Sequence, residues 1–85
     1  MKMKTIDGTR LKNLRKLSTV TQDEMAQQLG ISRQTVMAIE SNTLSALEEL
    51  SFEKVNQWGR VCRNRIARLK LQEWVGLLKK IFRVN

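Results

Sequence analysis

Apolar residues in the first part of the chain recur three and four positions apart, which is the spacing that buries one side of an α-helix. The first such stripe consists of Leu11, Leu14 and Leu17. It predicts a helix over about residues 9–17, with Asp7 or Thr9 as the capping residue at its start. The pattern therefore favours helices over strands from the beginning of the chain.

Two shorter helices are predicted next, because residues typical of helix ends bracket them. Thr21 and Glu24 have the spacing of a capping box, in which each side chain accepts a hydrogen bond from the other residue's backbone N–H. Gly30 is suited to a left-handed helix end. Ser32 is a good N-cap for the third helix, which extends to about Glu40 or the residue after it.

The second half of the chain predicts two further helices. The fourth covers about residues 44–58, ends at Gly59 and has an apolar face at Leu47, Leu50, Val55 and Trp58. The fifth lies between Arg63 and Phe82, with a heptad-like seam at Ala67, Leu71, Trp74, Leu78 and Ile81. This seam is compatible with an intramolecular core, with a dimer of paired C-terminal helices or with a membrane-surface helix. The prediction is an all-α fold of five helices, which the absence of proline supports.

Charge and composition narrow the class of partner. The chain has 16 basic and 8 acidic residues among 85, so its net charge of +8 favours nucleic acid or an anionic membrane. It has no histidine and one cysteine, Cys62, so no metal site, cofactor or intramolecular disulfide is predicted. Cys62 is interpreted as a small buried residue, with a redox or cross-linking thiol as the alternative. No long apolar run or secretory signal is present, which makes the cytoplasm the expected location. The sequence contains no pattern of catalytic residues, so no enzyme is predicted.

Residues 21–41 combine the residue types that two short helices crossing at a steep angle require. Ala26 is small enough for the next helix to approach closely, and Gly30 allows the tight turn between the helices. The apolar residues that bury the inner faces are Met25, Leu29, Ile31, Val36 and Ile39. The pattern thus predicts a helix-turn-helix.

The outer face of the third helix then follows by elimination. With Val36 and Ile39 buried, Arg33, Gln34 and Thr35 face outwards in its first turn. Arginine suits the paired acceptors of guanine, and glutamine suits the donor and acceptor of adenine. Threonine can contact a thymine methyl group or a phosphate. These side chains are therefore candidates for reading bases in a DNA groove.

Residues 10–42 resemble the phage-repressor and Cro family, the XRE-type helix-turn-helix. The resemblance is carried by the pattern Thr-Gln-x-Glu-x-Ala-x-x-Leu-Gly-Ile-Ser-Arg-Gln-Thr-Val, which begins at Thr21. It implies a lambda-repressor-like domain in which Gln22 grips a DNA phosphate. The residues implied to read bases are Ser32, Arg33, Gln34, Thr35 and Ala38. It also implies phosphate contacts from the backbone donors of Ser41 and Asn42, and a buried ion pair between Arg15 and Glu40.

Some positions depart from the family pattern. Asn42 stands where glycine is usual, although asparagine can also adopt the left-handed conformation that the turn needs. Ser51 and Glu53 fall where apolar residues of the fourth helix are expected. Residues 60–85 match nothing in the pattern. Their basic residues are Arg60, Arg63, Arg65, Arg68, Lys70, Lys79, Lys80 and Arg83. Those from Arg60 to Lys70 are interpreted as a solvated helix face or as extra phosphate contacts.

The sequence thus predicts two segments, a helix-turn-helix domain over residues 1–59 and a basic amphipathic helix over residues 60–85. The expected function is a sequence-specific transcriptional regulator, in the simplest case a repressor that binds double-stranded DNA as a homodimer. Activation, or a role as antitoxin or restriction-modification controller, fits the same residues. The alternative is a helix-turn-helix scaffold whose C-terminal helix docks a protein or an anionic membrane. No enzymatic activity and no small-molecule substrate are expected.

Overall fold

The computed structural model describes the backbone of residues 6–82 and the side chains of residues 6–73, 75 and 76. Within residues 6–82 the chain forms five helices and no strand: α1 (Gly8–Leu17), α2 (Gln22–Leu29), α3 (Arg33–Glu40), α4 (Leu44–Glu49) and α5 (Phe52–Phe82). The predicted all-α, five-helix fold is confirmed. None of the helices in this part of the chain combines the length and the hydropathy needed to span a bilayer.

The ends of the first three helices follow the local signals in the sequence. Asp7 caps α1 by accepting a hydrogen bond from the backbone N–H of the second helical residue. Thr21 and Glu24 form the complete capping box at the start of α2, with N–O distances of 3.0 and 2.9 Å. Gly30 ends α2 with φ of 69°, and Ser32 caps α3 through its hydroxyl. The predicted boundaries of α2 and α3 are therefore confirmed.

A single core joins the helices. Its buried apolar residues are Val20, Met25, Ala26, Leu29, Val36, Ile39, Leu50, Trp58 and Cys62. The Trp58 indole is wholly buried, and its N–H donates to the Leu11 carbonyl at 3.0 Å, which ties α5 to α1. The buried position predicted for Cys62 is confirmed, and burial raises the pKa of its thiol.

The prediction that Leu17 belongs to the apolar stripe of α1 is wrong. Leu17 is 75% exposed, whereas Ser18, four residues after Leu14, is fully buried. The Ser18 hydroxyl donates to the Leu14 carbonyl at 2.7 Å, which satisfies this polar group inside the core. Spacing alone did not distinguish the third from the fourth position after Leu14, because both lie on roughly the same side of a helix.

The predicted fourth helix over residues 44–58 is also wrong, because α4 ends at Glu49. Leu50 is extended, with ψ of 113°, and this bend turns its side chain into the core. The Ser51 hydroxyl then accepts a hydrogen bond from the Lys54 N–H at 3.1 Å, so Ser51 caps a new helix. Its polarity, which departs from the family pattern, is explained by that role.

The fifth helix begins at Phe52 rather than Arg63, and its backbone runs without a break past Gly59, which was predicted to end a helix. Its first half packs on α1 and α2 through Trp58 and Cys62. Leu71 comes nine residues after Cys62, which is about two and a half turns and thus the opposite side of the helix. Leu71 and Val75 are accordingly 57% and 44% exposed, and Ala67 is exposed as well.

An intramolecular core is therefore wrong for these three seam positions. The side chains of the other predicted seam residues lie outside the described part of the structure: Trp74, Leu78 and Ile81.

Candidate nucleic-acid interface

The turn between α2 and α3 sets the position of the outer face of α3. Gly30 in the left-handed conformation lets the backbone N–H of Ile31 donate to the Ala26 carbonyl at 3.0 Å. Ala26 of α2 is 6% exposed, and Val36 and Ile39 on the inner face of α3 are buried. With its inner face held in this way, α3 keeps a fixed orientation relative to α2.

The opposite side of α3 is solvent-exposed. Arg33 and Gln34 are exposed in the first turn, Thr35 is half-buried beside them, and Ala38 is half-buried one turn later. The Arg33 guanidinium lies 3.8 Å from the Asp23 carboxylate, but both side chains are more than half exposed, so this ion pair is weak. Arg33 and Gln34 therefore point outwards, and the weak ion pair leaves the Arg33 guanidinium able to bind another partner.

Two of the predicted base-reading residues are partly occupied within the protein. The Ser32 hydroxyl accepts a hydrogen bond from the Thr35 N–H at 3.1 Å and lies 2.9 Å from the Thr35 hydroxyl. Thr35 also lines a depression of about 430 Å³ between α3 and α4, together with Gln34 and Ala38. Arg33 and Gln34 are thus the exposed polar side chains in the first turn of α3.

A buried network connects α1, α2 and α3 behind this face. The Arg15 guanidinium donates to both carboxylate oxygens of Glu40, at 2.5 and 3.0 Å, and to the Val20 carbonyl at 2.8 Å. The Arg15 and Glu40 side chains are only 9% and 3% exposed. Gln22 completes the network, because its amide donates to Glu40 at 3.0 Å. The structure thus brings together Arg15 and Glu40, the ion pair implied by the resemblance. Glu40 also orients Gln22, the side chain expected to bind phosphate.

The backbone donors at the end of α3 differ from the expectation. The N–H groups of Ser41 and Asn42 already donate to the carbonyls of Met37 and Ile39, at 3.0 and 3.1 Å. Asn42 adopts the expected left-handed conformation with φ of 63°, and its side-chain oxygen accepts from the Gly8 N–H at 2.8 Å. The backbone donors of these two residues therefore end α3. The Ser41 hydroxyl donates to the Met37 carbonyl of the same helix, and the Asn42 side chain binds the start of α1.

Sequence reasoning did not single out the lysines of α1. A groove of about 570 Å³ at the start of α2 is lined by Lys12, Arg15, Lys16, Thr19, Val20, Thr21, Gln22, Asp23 and Arg33. Lys12 and Lys16 are four residues apart, and neither forms an ion pair with another described residue. Their spacing on the side of α1 that carries Arg15 is the signal from which they could have been found.

Comparison with known proteins agrees with this geometry. A family model described as helix-turn-helix matches residues 11–51. An uncharacterized HTH-type transcriptional regulator of Methanocaldococcus jannaschii is 38% identical over 50 residues, which cover 59% of this chain and 76% of that protein. The chain belongs to the helix-turn-helix family of DNA-binding domains. No solved structure matches it. Among the described residues of this helix-turn-helix protein, no group of three or more Cys, Asp or Glu is placed to hold a metal ion.

An ion pair on the surface links the helix-turn-helix to α5. The Arg65 guanidinium donates to the Glu24 carboxylate at 2.7 Å and to the Thr19 carbonyl at 3.0 Å. The hydrogen bond from Arg65, followed by that from the Thr21 backbone, lowers the pKa of Glu24 below its ordinary value of 4.5. Glu24 thus serves both the capping box of α2 and the contact with α5.

We expect this link to make the stability of the helix-turn-helix protein depend on acid pH. A carboxyl whose pKa is lowered by folding stabilises the fold above its ordinary pKa, and this contribution is lost as the pH falls through the lowered value. In Arg65→Ala the titration of the Glu24 carboxyl, followed by NMR, should move up towards 4.5. Arg63→Ala is the control, since Arg63 is exposed on the same helix; an equal movement in both variants would contradict the assignment to Arg65.

Proposed function

We propose that this helix-turn-helix protein is a sequence-specific transcriptional regulator that inserts the first turn of α3 into the major groove of double-stranded DNA. The observation that carries the proposal is the outward position of Arg33 and Gln34 on a helix whose opposite face is fixed in the core. The Arg33 guanidinium offers two parallel donors, which suit the paired acceptors of guanine, and the Gln34 amide offers a donor and an acceptor, which suit adenine. The fixed orientation of α3 favours specificity, since it limits the bases that these two side chains can contact.

The start of α2 supports the same orientation of the DNA. Gln22 is the first residue of α2, and its amide is held by Glu40, which leaves its second N–H for a phosphate oxygen. Lys12 and Lys16 line the groove beside it, and Ser32 and Thr35 stand at the start of α3. Phosphate contacts fix the register of a protein on the duplex, while base contacts give specificity.

A homodimer and repression are part of the proposal. Two copies related by two-fold symmetry would present their α3 helices about 34 Å apart, in successive major grooves of a palindromic site. The exposed apolar side of α5, at Leu71 and Val75, is a surface on which the second copy can pack. The apolar side of residues 60–85 then serves as a dimerisation element next to the DNA-binding domain of residues 1–59. Blocking polymerase in the cytoplasm is the simplest output of such a dimer.

The test is selection of bound duplexes from a random library, followed by affinity measurements with variants of α3. We expect Arg33→Ala and Gln34→Ala each to lose about 1–3 kcal/mol of discrimination at one base position. Gln28→Ala is the matched control, because Gln28 is exposed on the neighbouring helix α2 and lines neither the groove at Gln22 nor the depression at Gln34. A palindromic consensus would support the homodimer.

Two outcomes would contradict the proposal. Unchanged base preference in both α3 variants would remove the assignment of Arg33 and Gln34 as base-reading residues. Failure of the library to yield any consensus would favour the alternative of a helix-turn-helix scaffold that docks a protein or an anionic membrane through α5.

A further inference from the structure

Helix α5 runs along α2 in the opposite direction. Near the beginning of α5, the Lys54 ammonium donates to the carbonyl of Leu29, the last residue of α2. Further along α5, Arg65 contacts Glu24 in the first turn of α2 and the Thr19 carbonyl just before it. The order of these contacts shows that α5 passes the C-terminal end of α2 first and its N-terminal end afterwards.

The helix does not stop where α2 begins. Residues 66–82, here called the overhang, continue α5 beyond Arg65, and 17 helical residues extend about 25 Å. No hydrogen bond or ion pair joins the described side chains of the overhang to the rest of the domain. Leu71 and Val75 are exposed, as expected for a helix that has left the core.

The overhang is basic. Arg68 and Lys70 are exposed, and neither forms an ion pair within the described residues. Over residues 66–85 the sequence has five basic residues, Arg68, Lys70, Lys79, Lys80 and Arg83, against the single acid Glu73. A helix whose described cations are exposed and form no ion pair is suited to a polyanion.

We infer that the overhang is a second DNA contact, which reaches phosphates flanking the site read by α3. The inference rests on the proposed function, because the N-terminal end of α2 is the end at which Gln22 meets phosphate. Since α5 passes that end and continues for about 25 Å, its cations are carried towards the DNA backbone outside the α3 contact. This span corresponds to about 7 base pairs at about 3.4 Å each.

The described side chains favour DNA over a membrane surface. A helix that lies in a bilayer interface needs one broad apolar face opposite its cations. In the overhang Leu69 and Leu71 are both exposed and two residues apart, so they project about 160° from each other. Arg68 and Lys70 are separated in the same way. Cations on two sides of a helix can meet phosphates, whereas they would hold such a helix out of the acyl region.

The experiment compares two duplexes that carry the selected site, one trimmed to that site and one extended by about 8 base pairs on each side. The wild-type chain should bind the extended duplex more tightly. In Arg68→Gln/Lys70→Gln this gain should disappear, and the slope of log affinity against log salt should fall by about 1.8, since each phosphate contact contributes about 0.9.

The control is Arg60→Gln/Arg63→Gln, which removes the same charge from exposed positions of α5 before the overhang. It should keep both the gain from flanking DNA and most of the salt slope. The inference is overturned if the two double variants behave alike, or if the wild type gains nothing from the flanks. Binding of the wild type to vesicles of phosphatidylserine would in that case favour a membrane surface as the partner of the overhang. In either case the proposed function stands if the wild type binds the trimmed duplex tightly. If the wild type does not bind the trimmed duplex, the proposed function itself is contradicted.

Discussion

Glu40→Ala should lower the free energy of unfolding by about 3–5 kcal/mol, because it leaves the Arg15 guanidinium as an uncompensated buried charge. In the wild type both carboxylate oxygens of Glu40 accept from Arg15, and the pair is almost fully buried. After the substitution the Val20 carbonyl is the remaining acceptor for Arg15. Urea unfolding followed by circular dichroism measures the change.

Two variants separate the effect of the lone charge from other causes. Arg33→Ala breaks the exposed contact with Asp23 and should cost less than about 1 kcal/mol. Arg15→Met/Glu40→Leu removes both charges, and it should recover most of the stability lost in Glu40→Ala, because buried ion pairs can be replaced by packed apolar side chains. If the double variant is as unstable as the single one, the cost comes from packing and not from the unpaired charge.

The same network links stability to DNA binding. Glu40 also accepts from the Gln22 amide, so loss of the carboxylate frees the side chain that is proposed to meet phosphate. The double variant Arg15→Met/Glu40→Leu should therefore be stable but bind DNA less tightly, since Gln22 is no longer held in place before binding.

Gly8→Ala should destabilise the protein by about 3 kcal/mol, the upper part of the range for overpacking. A Cβ atom on Gly8 would come within 1.8 Å of the Ile39 carbonyl oxygen and within 3.1 Å of the Asn42 side chain. The main-chain oxygen of Ile39 is fixed within α3 and cannot move aside, so α1 must shift away from α3. That shift also strains the hydrogen bond from the Gly8 N–H to Asn42.

Gly59→Ala is the matched control, because it places the same methyl group on another helical glycine. A Cβ on Gly59 meets nothing within 4 Å, and alanine is the better helix former by about 1 kcal/mol. The melting temperature should therefore fall for Gly8→Ala and rise for Gly59→Ala. Similar changes of the same sign in both variants would show that the close approach of α1 to α3 is not what requires glycine at position 8.

The helix-turn-helix itself could be predicted from the sequence because its signals are local. Thr21 and Glu24 cap α2 across three residues, Gly30 ends it, and Ser32 caps the next helix. Each of these interactions spans four residues or fewer, so a pattern of residue types is enough to recognise it. The outward side of α3 then follows from which residues the helical period buries.

The remainder depended on contacts between residues far apart in the chain. Gly8 meets Asn42 across 34 residues, Trp58 meets Leu11 across 47 and Arg65 meets Glu24 across 41, and no spacing rule predicts such pairs. Helix α5 shows the consequence. The helical pattern predicted over residues 44–58 does not reveal that the chain bends at Leu50, because that bend is stabilised by the burial of Leu50 against the other helices.

By itself, the sequence determined that this protein is all-helical, that α2 and α3 form a helix-turn-helix, and that Arg33 and Gln34 lie on its outer surface. Only the tertiary structure decided where α5 begins, that Leu71 and Val75 point away from the core, and that Glu40 holds Gln22. Helical periodicity shows which residues of a helix share a side. Which of those sides meets another helix is decided by the packing of the whole chain around one core.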